Sequence, residues 1–184
     1  TLAAVGINSM RGWKKSALLS INNIPVVNPE IVTAISIALV CTMFAFGRSY
    51  ASLLIGHVVL TFPFVVLSVM PKLQQMDNNL YEAALDLGCT PTLTFFKVEL
   101  PAIMPGVLSG LIMAFTLSLD DFVISYFTIG SGFETLPIRI YSMTKKRVTP
   151  DMYALSTIMF VSVLLLLILF NFASSKASRK KDGN

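Results

Sequence analysis

The chain has 184 residues, of which 54% are hydrophobic and only 13% are charged, with a net charge of +4. A soluble domain carries about 25% charged residues, so this composition excludes an ordinary soluble domain and predicts an integral membrane protein with helical spans. The two cysteines, Cys41 and Cys89, fit neither a disulfide framework nor the spacing of a metal site. We expect both to pack as small apolar residues.

Four apolar stretches approach or exceed the roughly 18 to 20 residues that a helix needs to cross a bilayer. Pro25 and Pro29 interrupt the approach to the first stretch, and Gly106 and Gly110 in the third form a G-x-x-x-G face for close helix packing. The prediction is an all-α, polytopic membrane bundle that forms a single transmembrane domain over the whole chain, with a polar, disordered tail at its end. The predicted spans are 31–47, with a start near Ile24 as the alternative, 52–70, 102–129 and 152–172; the predicted domain is 1–184, and the predicted tail is 173–184.

The placement of Lys and Arg orients these spans, because loops on the cytoplasmic side carry an excess of them. With four spans, the segment before the first, the loop between the second and third, and the tail share one side. Nine basic residues fall on that side, and we expect it to be cytoplasmic: Arg11, Lys14, Lys15, Lys72, Lys97, Lys176, Arg179, Lys180 and Lys181. Five fall opposite, and three of them form a cluster that argues against this orientation: Arg48, Arg139, Lys145, Lys146 and Arg147.

A polar segment with the periodicity of a short amphipathic helix separates the second and third spans. Asp77 is a plausible N-cap, with Asn78 as an alternative. Glu82 and Asp86 are like-charged i, i+4 neighbours, which destabilises a helix by a few tenths of a kcal/mol unless an outside cation relieves the repulsion. The residues that recur on one helix face are Leu80, Ala83, Ala84 and Leu87.

A second short helix is predicted directly after the first. Gly88 supplies the stop between them, and Thr90 with Pro91 has the spacing of an N-cap followed by the first helical residue. We expect this helix to cover 92–98 and to end at Leu100-Pro101, where the third span begins. From the residues alone, the segment is either a loop that lies along the membrane surface or a docking site.

The amino-acid sequence of this segment resembles the "EAA" signature of membrane subunits of ATP-binding-cassette importers. The positions that carry the resemblance are Glu82, Ala83, Ala84, Gly88, Val98, Leu100 and Pro101, with Val98 standing where Ile is commoner. The resemblance implies a MetI-like permease fold in which residues 78–98 are coupling helices that insert into a groove of the ATPase. It implies that Glu82 contacts basic residues there, that the small Ala83 and Ala84 allow a close approach to the ATPase, and that Gly88 sets the bend between the two helices. Tyr81 and Asp86 complete the expected coupling surface.

The same resemblance implies a set of partners. Two permease subunits pair as a homodimer or heterodimer, an ATPase dimer docks on their coupling helices, and an extracytoplasmic binding protein delivers the substrate. The chain has no Gly-rich phosphate-binding motif and no nucleophile–base constellation, so we expect no enzymatic activity, no cofactor and no metal, with ATP and Mg on the partner ATPase. We expect contact with lipids but not nucleic acid, in the bacterial inner membrane with a cytoplasmic C-terminal tail. Because the family usually has six spans, we also expect spans before Thr1.

Two carboxylates, Asp120 and Asp121, interrupt the apolar stretch of the third span. An Asp at a helix centre costs about 2.5 to 3.5 kcal/mol on insertion, so such residues usually face a cavity or a partner. Adjacent residues point about 100° apart on a helix, so both cannot line one narrow pore equally. One interpretation is a structural ion pair or helix-end cap plus one solvated residue; the other is a site for a cationic substrate or a gate facing the binding protein. His57, in the second span, has a hydrogen-bonded packing role or a role as ligand or proton relay.

The stretch 115–123 resembles the permease subunits of spermidine/putrescine importers, and the likeness extends from Asn28 to the last span. The resemblance implies a polyamine substrate whose ammonium groups meet carboxylates and aromatic faces. The expected substrate path is Asp120, Asp121, Tyr126 and Glu134. Importers of Fe(III), thiamine or a small anion on the same architecture stay open as alternatives, as does a stand-alone channel or secondary transporter.

Overall fold

The computed structural model describes residues 1–44, 47–145 and 150–179, and within these ranges every regular element is helical. A π-helical turn, Phe95–Glu99, joins two of the helices, Pro91–Thr94 and Leu100–Asp120. The ten α-helices are α1 (Leu2–Ser9), α2 (Trp13–Val27), α3 (Glu30–Met43), α4 (Tyr50–Gln75), α5 (Asn78–Asp86), α6 (Pro91–Thr94), α7 (Leu100–Asp120), α8 (Val123–Thr128), α9 (Leu136–Thr144) and α10 (Pro150–Arg179).

Three helices are long and apolar enough to cross a membrane, and a fourth crossing exists if α2 and α3 form one broken span. Their axes meet at 104°, because Asn28 is extended before Pro29 and a residue before proline is disfavoured in the α conformation. The all-α prediction is confirmed, but the predicted first span is not a straight helix: α3 has only 14 residues and ends at Met43. Residues 45 and 46 of that predicted span lie outside the described residues.

The third predicted span has different limits from those expected. The expected span 102–129 is divided, because α7 ends at Asp120 and α8 begins at Val123. At its other end the helix does not begin near residue 102, because α6, the π-helical turn and α7 form one helix from Pro91 to Asp120. The expected boundary at Leu100-Pro101 is therefore wrong.

The last helix is longer than predicted. The expected span 152–172 lies inside α10, which continues to Arg179, so the expected disordered tail is helical for most of its length. Residues 180–184 lie outside the described residues, as do Lys146 and Arg147 of the basic cluster. None of the most apolar part of α10 is buried within the chain, which leaves this helix free to contact lipid or another subunit.

The core lies where α4 crosses α7, the most extensive helix pair in the chain. The two backbones approach closely because Gly106 and Gly110 face α4: a Cβ at Gly106 would lie 3.0 Å from the carbonyl oxygen of Ser68, and one at Gly110 would lie 3.3 Å from Val65 Cγ1. The predicted close packing of this glycine pair is thus confirmed. Helix α1 covers the same region, and the buried cluster comprises Ala4, Ile7, Val66, Val69, Met70, Leu73 and Ile103.

Candidate functional site

The predicted docking segment begins with α5, in which none of residues 79–86 is buried. Asp77 caps it as expected, because its carboxylate accepts a hydrogen bond from the Asn79 N–H at 3.0 Å. Two leucines of its apolar face stay bare, with Leu80 56% exposed and Leu87 86% exposed. Glu82 is exposed and has no ion-pair partner among the described residues. The helix therefore presents an uncovered surface that combines apolar side chains with negative charge.

The end of α5 is fixed by backbone geometry that Gly88 makes possible. Gly88 has a φ of 83°, in the left-handed region that favours glycine. The Gly88 N–H donates to the Leu85 carbonyl at 2.9 Å and the Cys89 N–H donates to the Ala84 carbonyl at 3.1 Å. These two bonds form a Schellman motif and satisfy carbonyls that the helix end would leave free. Gly88 thus sets the bend between the two short helices, the position that the signature implies for it.

The second short helix runs into the membrane-spanning helix through a wide turn. Thr90 caps α6, because its hydroxyl oxygen accepts a hydrogen bond from the Leu93 N–H at 3.4 Å. The Leu100 N–H then donates to the Phe95 carbonyl, five residues back. In a regular helix the ring of Pro101 would clash with the carbonyl four residues earlier, and the extra residue in the turn accommodates it. The late positions of the signature therefore join the docking segment to α7.

The side chain of Asp121 caps the start of α8 from the position before the N-cap residue Phe122, and Asp121 is 5% exposed. Its two carboxylate oxygens accept hydrogen bonds from the Ile124 N–H at 3.2 Å, the Ser125 N–H at 2.8 Å and the Ser125 hydroxyl at 3.0 Å. A carboxylate placed on the free N–H groups of a helix start stabilises that start. This contact explains why α7 stops at Asp120, and it matches the helix-cap interpretation for Asp121.

His57 connects the same region to α4 and α7. Its Nε2 lies 3.2 Å from the Ser125 hydroxyl and 3.6 Å from the Asp121 carboxylate, and its Nδ1 lies 2.9 Å from the Ser118 hydroxyl. Both ring nitrogens therefore have partners within hydrogen-bond distance. The structure gives His57 the hydrogen-bonded packing role, holding together three helices at the point where the span breaks.

A cavity of about 410 Å³ lies beside this network and is lined by three carboxylates, Glu30, Asp120 and Asp121. Asp120 is exposed, so the two neighbouring Asp residues have different environments, as their 100° separation predicts. Phe64 and Phe122 contribute aromatic surface to the same cavity. Sequence reasoning missed Glu30, since only the contact between α3 and α8 brings it to this place. The sequence feature that could have pointed to Glu30 is a carboxylate directly after the helix-breaking Pro29, next to an apolar stretch.

A larger chamber of about 1140 Å³ contains the other two predicted substrate residues, Tyr126 and Glu134. Glu134 is paired with Arg139, its carboxylate 3.3 Å from the guanidinium. Arg48 also lines the chamber and donates to the carbonyl oxygens of Ile129 at 3.2 Å and Tyr126 at 3.1 Å. The predicted substrate residues therefore fall into two neighbouring groups rather than into one site.

Residues 1–180 match the family model described as "Binding-protein-dependent transport system inner membrane component". The chain belongs to this family. The match covers both the docking segment and the carboxylate cavity. The permease is accordingly the inner-membrane component of a transport system, and its relatives are transport subunits rather than enzymes.

Named relatives are similar to the permease over most of its length. It is 36% identical to the spermidine/putrescine transport system permease protein PotC of Haemophilus influenzae, over 95% of this chain and 68% of the relative. It is 34% identical to PotC of Escherichia coli K12, over 100% of this chain and 70% of the relative. It is 33% identical to the putrescine transport system permease protein PotI of the same strain, over 85% of this chain and 58% of the relative.

Proposed function

We propose that the permease forms the translocation path of an ATP-driven importer for polyamines. The observation that carries this proposal is the cavity lined by Glu30, Asp120 and Asp121, at the break between α7 and α8. Relatives named for spermidine and putrescine transport support the same substrate class. A polyamine is a flexible polycation, and carboxylates with aromatic faces supply the chemistry that binds its ammonium groups.

Within this cavity the carboxylates have distinct roles. Asp121 is committed to the N-terminus of α8, so it contributes negative potential rather than a free binding group. Asp120 is exposed at the end of α7 and is the residue that we assign to the substrate ammonium. Glu30, at the start of α3, also lines the cavity, where its carboxyl group lies within hydrogen-bond distance of the Asp121 carboxyl group.

An anion importer fits this cavity poorly. A site for sulfate, molybdate or a similar anion uses Arg, Lys or the free N–H groups of a helix start. The starts of α3 and α8 both border this cavity, and the Asp121 carboxylate already accepts N–H groups of α8. None of the described residues that line the cavity is basic. These features favour a cation over an anion.

Coupling to ATP is assigned to α5, α6 and the π-helical turn. The bare leucines and unpaired Glu82 of α5 suit a groove that has an apolar floor and basic walls, the surface that we propose on an ATPase dimer. This places the docking segment and the C-terminal end of α10 in the cytoplasm, and it places the chamber around Glu134 outside, facing the binding protein. A second permease subunit completes the path against the exposed faces of the long helices.

The proposal is tested in the complete importer, reconstituted with its partner permease, ATPase and binding protein. We expect spermidine or putrescine on the binding protein to stimulate ATP hydrolysis and uptake, and Asp120→Asn to raise the half-saturating polyamine concentration at least severalfold. Asp120→Glu keeps the charge and is the matched control, with a smaller effect. Stimulation by Fe(III), thiamine or an anion instead would contradict the substrate, and uptake without ATP would contradict the coupling.

A further inference from the structure

Three aromatic rings form a cluster between the two cavities. The Phe122 ring centroid lies 5.5 Å from that of Tyr126 and 4.6 Å from that of Tyr141, and the two tyrosines are 6.3 Å apart. Phe122 packs on the small core formed by Leu53, Ile129 and Ile138, so it anchors the group. The tyrosine side chains are partly exposed, Tyr126 to 44% and Tyr141 to 39%. We call these three residues the aromatic cluster.

The position of the aromatic cluster makes it a bridge. Tyr126 lines the larger chamber, together with Glu134. Phe122 lines the carboxylate cavity, together with Asp120. The contact between these two rings therefore connects the linings of the two cavities, and Tyr141, which is not among the described residues of either lining, joins them through its contact with Phe122.

The aromatic cluster already holds an ammonium group. Lys145 Nζ lies 4.8 Å from the centroid of the Tyr141 ring, within the range of a cation–π interaction. A lysine side chain is a chain of four methylene groups that ends in an ammonium. The aminobutyl arm of putrescine or spermidine has the same composition. The chain's own side chain therefore shows which ligand group the face of Tyr141 accepts.

We propose that the Tyr141 face is an intermediate binding site for the aminobutyl arm of the substrate, and that Lys145 occupies this site until the substrate displaces it. This site rests on the proposed polyamine substrate. It adds a residue, Lys145, that competes with the substrate for Tyr141, and a sequence in which the substrate contacts the residues. The ammonium arrives from the chamber, exchanges with Lys145 on Tyr141, and continues past Phe122 to Asp120.

Because Lys145 competes with the substrate, its removal has an effect opposite to that of losing the ring. A cation–π contact at an exposed site contributes an amount that corresponds to about a two- to fivefold change in affinity. We expect Tyr141→Leu to raise the half-saturating polyamine concentration by about that factor, and Lys145→Gln to lower it by about the same factor. Tyr141→Phe keeps the ring and Lys145→Arg keeps the cation, and both should resemble the wild type.

The double variant Tyr141→Leu/Lys145→Gln separates competition from simple charge repulsion. If Lys145 acts by occupying the ring, its removal has no further effect once the ring is absent. If it acts only by repelling polycations, the benefit of Lys145→Gln persists in the Tyr141→Leu background. The measurement is polyamine-dependent ATP hydrolysis by the reconstituted importer, with the amount of assembled complex determined for each variant by size-exclusion chromatography.

The outcomes distinguish this inference from the proposed function. An importer that responds to polyamines but shows equal half-saturation in the wild type and Tyr141→Leu overturns the intermediate site alone. A persistent effect of Lys145→Gln in the double variant overturns the exchange with Lys145. A wild-type importer that responds to no polyamine overturns the proposed substrate, and the intermediate site with it.

Discussion

The docking segment and the carboxylate region satisfy their polar and apolar groups in opposite ways. In α5 the backbone is capped locally, by Asp77 at the start and by the turn at Gly88, while the side chains of its apolar face stay bare. In the carboxylate region the side chains satisfy one another across three helices, through His57 and Asp121. In the docking segment the backbone hydrogen bonds at the helix ends are satisfied, but the apolar side chains are exposed. The carboxylate region is stabilised by side-chain contacts within the chain.

This difference indicates where each region's partners are found. An uncovered apolar face needs a macromolecule to cover it, since water alone leaves it unburied. A satisfied polar network needs no partner for its stability, and beside it the carboxylate of Asp120 is exposed in the cavity. Substitutions in α5 should therefore change assembly without changing stability, and substitutions in the network should do the reverse.

Charge reversal in α5, Glu82→Lys, should have the largest effect. A lysine placed against basic residues of the ATPase would weaken docking by roughly 3 kcal/mol, or about 100-fold, because like charges across an interface cost several kcal/mol. Co-purification of the ATPase with the permease measures this. Asn79→Lys, which introduces a lysine elsewhere on α5 and changes the net charge by +1 rather than +2, is the control for position, and Glu82→Gln, which also changes it by +1, is the control for charge. Retention of the ATPase by Glu82→Lys would refute the docking assignment.

Removal of the cap at α8, Asp121→Ala, should be the most destabilising of the substitutions in the carboxylate region. It deletes a carboxylate that accepts three hydrogen bonds, and we expect a loss of about 2 to 3 kcal/mol in the free energy of unfolding, read as a lower melting temperature in detergent. Asp120→Ala, one residue away and exposed, should change stability by less than about 0.5 kcal/mol. Equal melting temperatures for the two variants would show that Asp121 is not a structural cap.

Replacement of the bridging imidazole, His57→Ala, should have a smaller effect of about 1 to 2 kcal/mol. The variant loses the contacts with Ser118 and Ser125, but both hydroxyl groups can rotate toward other acceptors. Gln at this position keeps hydrogen-bonding capacity and should recover part of the loss. Thermal unfolding in detergent, followed by light scattering, measures this. A His57→Ala variant as stable as the wild type would show that His57 does not stabilise the network.

The ion pair in the larger chamber should contribute least. Both side chains are about half exposed, Arg139 to 59% and Glu134 to 49%, and exposed pairs contribute about 0 to 1 kcal/mol. Glu134→Gln should therefore leave the melting temperature almost unchanged. If Glu134 guides the polyamine, the same variant slows uptake at low salt more than at high salt, because salt screens exposed charges.

The sequence predicted the local features of the docking segment well. The caps at Asp77 and Thr90 and the stop at Gly88 depend on a few neighbouring residues, so their pattern is visible along the chain. The continuous helix through Pro101 was not predicted, because proline usually marks a helix start and the wide turn that accommodates it has no residue signal of its own.

The carboxylate region was predicted only in part. The adjacent carboxylates and their divergent directions followed from helix geometry, but the division of the span did not, because it arises from a cap that forms between Asp121 and residues after it. Glu30 and His57 reach this region from helices that are distant in sequence. Contacts of this kind depend on how the helices pack, which a single sequence does not display.

The long helix from Pro91 to Asp120 has its close contact with α4 near its middle, at Gly106 and Gly110. Its 30 residues span about 45 Å, so each arm extends roughly 22 Å from that contact. If the helix tilts as a rigid rod about this contact, a tilt of about 10° moves each end by about 4 Å, in opposite directions. If an ATPase docks on the segment before this helix, as proposed, a displacement of the Pro91 end moves Asp120 in the opposite direction about the contact at Gly106 and Gly110.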